Sequence, residues 1–195
     1  MYKKGSGWIW ISVVLMLFLV FGAFFYLSLA SPDYDKIYRE MADKGELLNP
    51  ASGLSEQDAV AAFNESFVYY MLVAIKTYNL HNPPLSSETP KIELLIDSNV
   101  FNAEVKNGVI EVGRGAIVNE DVVIKTTAEE AVKMMNDRDY TSSSFRDGKS
   151  SIELIAEKST LFAKGYLGLY NELTGESVTG GVIRIYFNLA FPIFV

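Results

Sequence analysis

The sequence predicts an α+β fold: a single N-terminal transmembrane helix followed by one domain with a mainly antiparallel twisted sheet of about 5–6 strands covered by helices. Three observations lead there. Residues 7–32, GWIWISVVLMLFLVFGAFFYLSLASP, carry no charged side chain. Period-two alternation recurs on both sides of Asn107-Gly108. Stretches of helical spacing, each opened by a capping signal, flank those strands rather than alternating with them.

The apolar run comes first. Trp8 to Leu29 is ~22 residues, which as a helix spans about 30 Å, the thickness of a bilayer's hydrocarbon. In lipid the backbone must pair within the segment, so it is a helix. Tyr2, Trp8, Trp10 and Tyr26 stand near its ends as interfacial aromatics. Lys3 and Lys4 precede it, and the positive-inside bias then keeps residues 1–6 in the cytoplasm and places the domain outside. Ser28-Leu29-Ala30 also offers the small residues that a signal peptidase needs, so secretion after cleavage near Ala30 is the alternative. A signal's apolar core is roughly 7–15 residues, and this run is longer, which favours a retained anchor over residues 7–30.

Residues 31–54 read as a juxtamembrane spacer. Tyr34, Ile37, Tyr38 and Met41 recur at helical spacing, and Asn49-Pro50 and Ser52-Gly53 break the chain. The globular domain is expected over 55–195. Ser55 to Asp58 fits a capping box that opens a long helix from about Glu56 to Tyr78. Its centre, Phe67 to Ile75, is apolar on every side, so the helix is buried on most faces or covers an open apolar surface. Pro83 and Pro84 cannot continue it.

Strands follow. Ile92, Leu94 and Ile96 alternate with polar residues, as do Phe101, Ala103 and Val105. Both Asn107 and Gly108 tolerate positive φ, so they make a hairpin that sets Val105 opposite Ile110 and Ala103 opposite Val112. Asp121 to Thr126 is a further strand. Thr127 and Glu130 open a second helix, with an apolar stripe running to about Asn136. Ile152, Leu154 and Ala156 suit a strand. Ser159 can cap a helix that carries Phe162, Tyr166, Leu169, Tyr170 and Leu173 and ends at Gly175. Ile183, Ile185, Phe187 and Leu189 share one face of a last strand.

Composition narrows the function. The net charge is −7, and setting aside Lys3 and Lys4 leaves about −9, which argues against nucleic acid and against a polybasic grip on anionic lipid. The chain has no cysteine, which removes disulfides, thiolate metal sites and cysteine nucleophiles. His81 is the only histidine; it sits before two prolines, and no serine or acid is placed by sequence to complete a triad. Asp137 to Glu153 lacks the sixth-position glycine of a calcium loop and reads as a solvated loop. Asn64-Glu65-Ser66 is a glycosylation sequon inside an apolar helix. No nucleophile–base pair, metal cluster or cofactor loop is visible, so neither catalysis nor a cofactor is expected.

Three pieces taken together, FNAEVKNGVI (Phe101 to Ile110), EDVVIKTTAEEAVKMM (Glu120 to Met135) and FRDGKSSIELIAEKSTLFAKGYLGLY (Phe145 to Tyr170), resemble the sterol carrier protein 2-like family in order and spacing. The resemblance implies a lipid-binding α+β domain with an apolar tunnel between sheet and helices, and no catalytic residue. The exported location and the apolar C-terminal strand depart from the family pattern. Phe67, Tyr70, Met71, Met134, Phe162 and Tyr166 are the side chains expected to line such a tunnel, with packing into a filled core as their other role. The expected function is therefore a membrane-tethered extracytoplasmic domain that binds a lipid or other apolar ligand. A structural protein of the cell envelope, forming homo-oligomers or partner contacts through the C-terminal strand, is the alternative.

Overall fold

The computed structural model describes residues 6–29 and 32–176. The chain begins with α1 (Ser6–Leu29), 24 residues without a charged side chain. The side chains described within it run from Trp10 to Gly22, and its large apolar ones are exposed. Among the described residues no helix is long and apolar enough to cross a membrane. The transmembrane anchor expected over residues 7–30 is thus not found among the described residues.

α2 (Tyr34–Asp43) is capped by Asp33, whose carboxylate accepts from the Lys36 amide at 3.0 Å. The segment expected to be a spacer is instead built into the domain. Tyr38 is buried; its hydroxyl donates to the Gly108 carbonyl at 2.9 Å, and its ring stacks on Tyr78 with centroids 4.3 Å apart. The Tyr78 hydroxyl reaches back to Asp35 at 2.7 Å. Ala51, further along, is also core.

The single long helix expected over 56–78 is three pieces: α3 (Glu56–Ala61), α4 (Glu65–Ala74) and a 3-10 turn, Thr77–Asn79. The break has a local cause. Asn64 leaves helical geometry and accepts the Ser66 amide at 2.9 Å, which starts a new helix. Lys76, at φ 59°, closes it. α4 is apolar all round because it packs against both sheet and helix, and Phe67, Val68, Met71, Leu72 and Val73 are buried.

The sheet has five strands in the order β3-β2-β1-β4-β5: β1 (Lys91–Ile96), β2 (Asn99–Lys106), β3 (Val109–Arg114), β4 (Val122–Thr126) and β5 (Ser151–Leu154). The hairpin register is the expected one, Val105 opposite Ile110 and Ala103 opposite Val112. The sheet is mixed rather than antiparallel, because β4 runs parallel to β1, with Ile92 beside Val122 and Leu94 beside Ile124. One face carries Ile92, Leu94, Ile96, Phe101, Ala103, Val105, Val122 and Ile124, all buried. The other carries Glu93, Asn102, Glu111, Lys125 and Glu153.

α5 (Ala128–Asn136) starts at Thr127, whose hydroxyl accepts the Glu130 amide at 3.1 Å. The stretch after it is not a solvated loop: α6 (Arg138–Arg146) and β5 occupy most of it. Asp137 caps α6 by accepting the Asp139 amide at 2.9 Å. The expected helix over 159–173 is two, α7 (Lys158–Ala163) and α8 (Tyr166–Thr174), parted by Gly165 at φ 86°. Gly175 ends α8 at φ 73°, as expected. The C-terminal strand expected over 183–189 lies outside the described residues.

Candidate functional site

Strand directions bring five chain segments to one end of the sheet: the start of β1, the finish of β2, the start of β3, the start of β4 and the finish of β5. This near end holds a buried charge pair. Asp121, just before β4, is 3% exposed and Lys164, in the turn between α7 and α8, is 4% exposed. Lys164 Nζ donates to Asp121 Oδ1 at 2.8 Å and Oδ2 at 3.0 Å, and to the Thr89 carbonyl at 3.0 Å. Asp121 Oδ2 also accepts the Lys91 amide at 2.7 Å. The Tyr166 hydroxyl lies 3.1 Å from both Asp121 Oδ2 and the Lys91 carbonyl. Burial first, and then the Asp121 charge, push the Tyr166 phenol well above its ordinary pKa, so it stays a neutral donor.

This network ties β1, β4 and the α7–α8 turn together. It also occupies the lysine: the ammonium donors are committed to the carboxylate and a carbonyl, which leaves no free amine to act as nucleophile.

Beside the pair lies an open cleft of about 780 Å³, lined by Ser87, Glu88, Thr89, Lys91, Glu104, Asn119, Glu120, Asp121, Ile155, Ala156, Thr160 and Lys164. The volume is in the range of small-molecule sites, about 300–1,000 Å³. The lining carries the hydroxyls of Ser87, Thr89 and Thr160 and the amide of Asn119, and holds four carboxylates against two ammonium groups. Thr89 donates to Glu104 at 3.0 Å. Lys91 Nζ donates to the Val118 carbonyl at 3.3 Å. Such a lining accepts neutral or cationic polar groups and disfavours anions.

A second polar network lies away from the cleft. Glu130 is buried and accepts from Ser144 Oγ at 2.8 Å and Tyr140 Oη at 2.8 Å. Ser150 Oγ is 2.9 Å from Ser144 Oγ and 2.7 Å from Thr126 Oγ1. It joins α5 and α6 to β4 and the start of β5.

The six residues expected to line a tunnel are not brought to one opening. Phe67, Met71, Met134 and Tyr166 are buried in the core, Tyr70 is half-buried, and Phe162 is 75% exposed. None of them lines the cleft. Asn64, the sequon residue, is half-buried and uses its side-chain oxygen as a helix cap. His81 is exposed, with Nδ1 3.2 Å from the Asn82 carbonyl. Among the described residues no group of three or more metal-ligating side chains is placed to hold an ion. The cleft itself was missed by sequence reasoning. Asp121 and Lys164 lie far apart in the chain, and the only local signal was a lysine within an apolar helix pattern, followed by a glycine.

No family model and no curated protein matches the chain. Among solved structures it is similar to UbiJ-SCP2, a ubiquinone synthesis protein, with 14% identity over 55% of this chain and 89% of that one and a TM-score of 0.34. It is also similar to sterol carrier protein 2 like 2 from Aedes aegypti, with 16% identity over 50% and 94% and a TM-score of 0.31. Sterol carrier protein 2 from Yarrowia lipolytica gives 13% identity over 62% and 88% and a TM-score of 0.29. At these values no residue role carries across to this chain.

Proposed function

We propose that this protein is a membrane-tethered, non-catalytic domain that binds a lipid or other apolar molecule through that molecule's polar group. The observation that carries the reading is the cleft of about 780 Å³ at the near end of the sheet. That end is where α2 docks, and α2 follows closely on the uncharged helix α1. The cleft is lined by Asp121, Lys164 and Thr89 as well as by Ile155 and Ala156, a mixed lining that suits an amphiphile. With Lys3 and Lys4 held inside, the domain faces outward.

The test compares organic extracts of the full-length protein with those of Thr160→Trp, a substitution that puts an indole into the cleft lining while keeping both Asp121 and Lys164 in the chain. Mass spectrometry should find one amphiphile enriched with the natural chain and lost with Thr160→Trp, while the circular dichroism of the two proteins agrees. The same bulk lipids in the same amounts from both proteins would remove the ligand-binding half of the reading.

A further inference from the structure

The near end of the sheet carries a second feature, and its meaning rests on the tether proposed above. Five residue steps separate Leu29, the last residue of α1, from Tyr34, the first of α2. Fully extended, those steps reach about 17 Å. α2 is not free to swing at the end of that link. The Tyr38 hydroxyl holds the Gly108 carbonyl at 2.9 Å, and the Tyr34 ring occupies the space that a Cβ on Gly108 would need. The Asn107-Gly108 turn therefore stays within a short reach of the end of α1.

Large apolar side chains left in water gather at that same end. Val109 follows the turn and is 58% exposed, and Val118 is 76% exposed. The Val118 carbonyl accepts from Lys91 at the start of β1. Leu85, in the segment leading into the cleft wall, is fully exposed, and Ile155, just past β5, is more than half exposed. Ile37 on α2, Leu48 and Leu54 after it, and Phe162 on α7 are exposed as well. Four protruding apolar side chains around one sheet end are costly for a domain in bulk water but suit a bilayer interface. The charged groups lining the cleft at this end are Glu88, Glu104, Glu120 and Asp121 against Lys91 and Lys164, so the surface they fit is neutral or zwitterionic rather than anionic.

We propose that the near end of the sheet is a membrane-docking face. In it Leu85, Val109, Val118 and Ile155 enter the headgroup region of a zwitterionic bilayer, so that the cleft opens onto lipid and not onto bulk solvent.

The chain has no cysteine, so single-cysteine labelling is clean. The full-length protein carrying Val109→Cys, Val118→Cys or Ser98→Cys is labelled with a small fluorophore and placed in phosphatidylcholine nanodiscs containing brominated acyl chains. Ser98 lies at the opposite end of the sheet, and β2 spans about 27 Å between the two ends. Quenching at positions 109 and 118 should exceed that at 98 by about threefold or more, because only the near end reaches the interface. Replacing a third of the lipid by an anionic one should lower the ratio or leave it unchanged, and never raise it. Equal quenching at all three sites overturns the docking face. So do labels at 109 and 118 that are shielded from water yet not quenched, which would mean that residues 177–195 or a second copy covers this end. Protein that never enters nanodiscs overturns the tether itself, and the docking face with it.

Discussion

Lys164 is the single side chain on which the near end most depends. Its ammonium is buried, and its donors go to one carboxylate and one carbonyl. Removing one member of such a pair strands the other charge out of water. Lys164→Met should therefore lower stability by about 3–5 kcal/mol in urea unfolding of the full-length protein. Glu130 makes the pH-sensitive contribution. Burial alone raises its carboxyl pKa, but hydrogen bonds from Ser144 and Tyr140, with the charges of Lys149 and Lys133, outweigh that and hold it below the ordinary range. A folded pKa below the unfolded value of about 4.3 means that this stabilisation is complete above that value and disappears as pH falls through the folded one. Unfolding midpoints of the natural chain should fall across that acidic window, and Glu130→Gln should flatten the fall. Either a flat natural profile or an unchanged variant profile contradicts the assignment. The sequence showed Glu130 as part of a capping box; only half is made, since the Thr127 hydroxyl takes the Glu130 amide while the carboxylate turns to Ser144.

At the scale of elements, Gly108 decides where α2 sits. It has φ 74°, and the Tyr34 ring occupies the space a side chain would need. Gly108→Ala should release α2: amide exchange over residues 34–43 should accelerate by about tenfold or more, while the β1–β4 amides stay protected. Unchanged exchange in α2 would show that the turn does not hold it. The hairpin was readable because Asn-Gly and the alternation around it agree on one register. α6 was not, because its buried positions include Thr141 and Ser144, whose hydroxyls pack without an apolar signal. The available cue was Asp137, a helix cap that also fits a loop. The two helix breaks were hidden for a related reason. Asn64 and Gly165 interrupt apolar patterns that continue in phase on either side, so periodicity alone joins the pieces.

For the whole molecule, alternation cannot tell whether a strand runs parallel or antiparallel to its neighbour, so the β1–β4 pairing was invisible in the sequence. The cleft shared that fate, since it forms where the loops before β1, before β4 and after β5 converge. The apolar face of the sheet was legible, because Ile92, Leu94, Phe101 and Ala103 are strict alternators. The parallel pairing also bears on how the chain acquires its shape. β1, β2 and β3 are joined by tight turns and can zip together locally, whereas Ile92 must wait for Val122, about 30 residues later, to complete its other flank. A chain built amino end first would thus present a half-built meander, with the outer rim of β1 bare of partners until β4 is made.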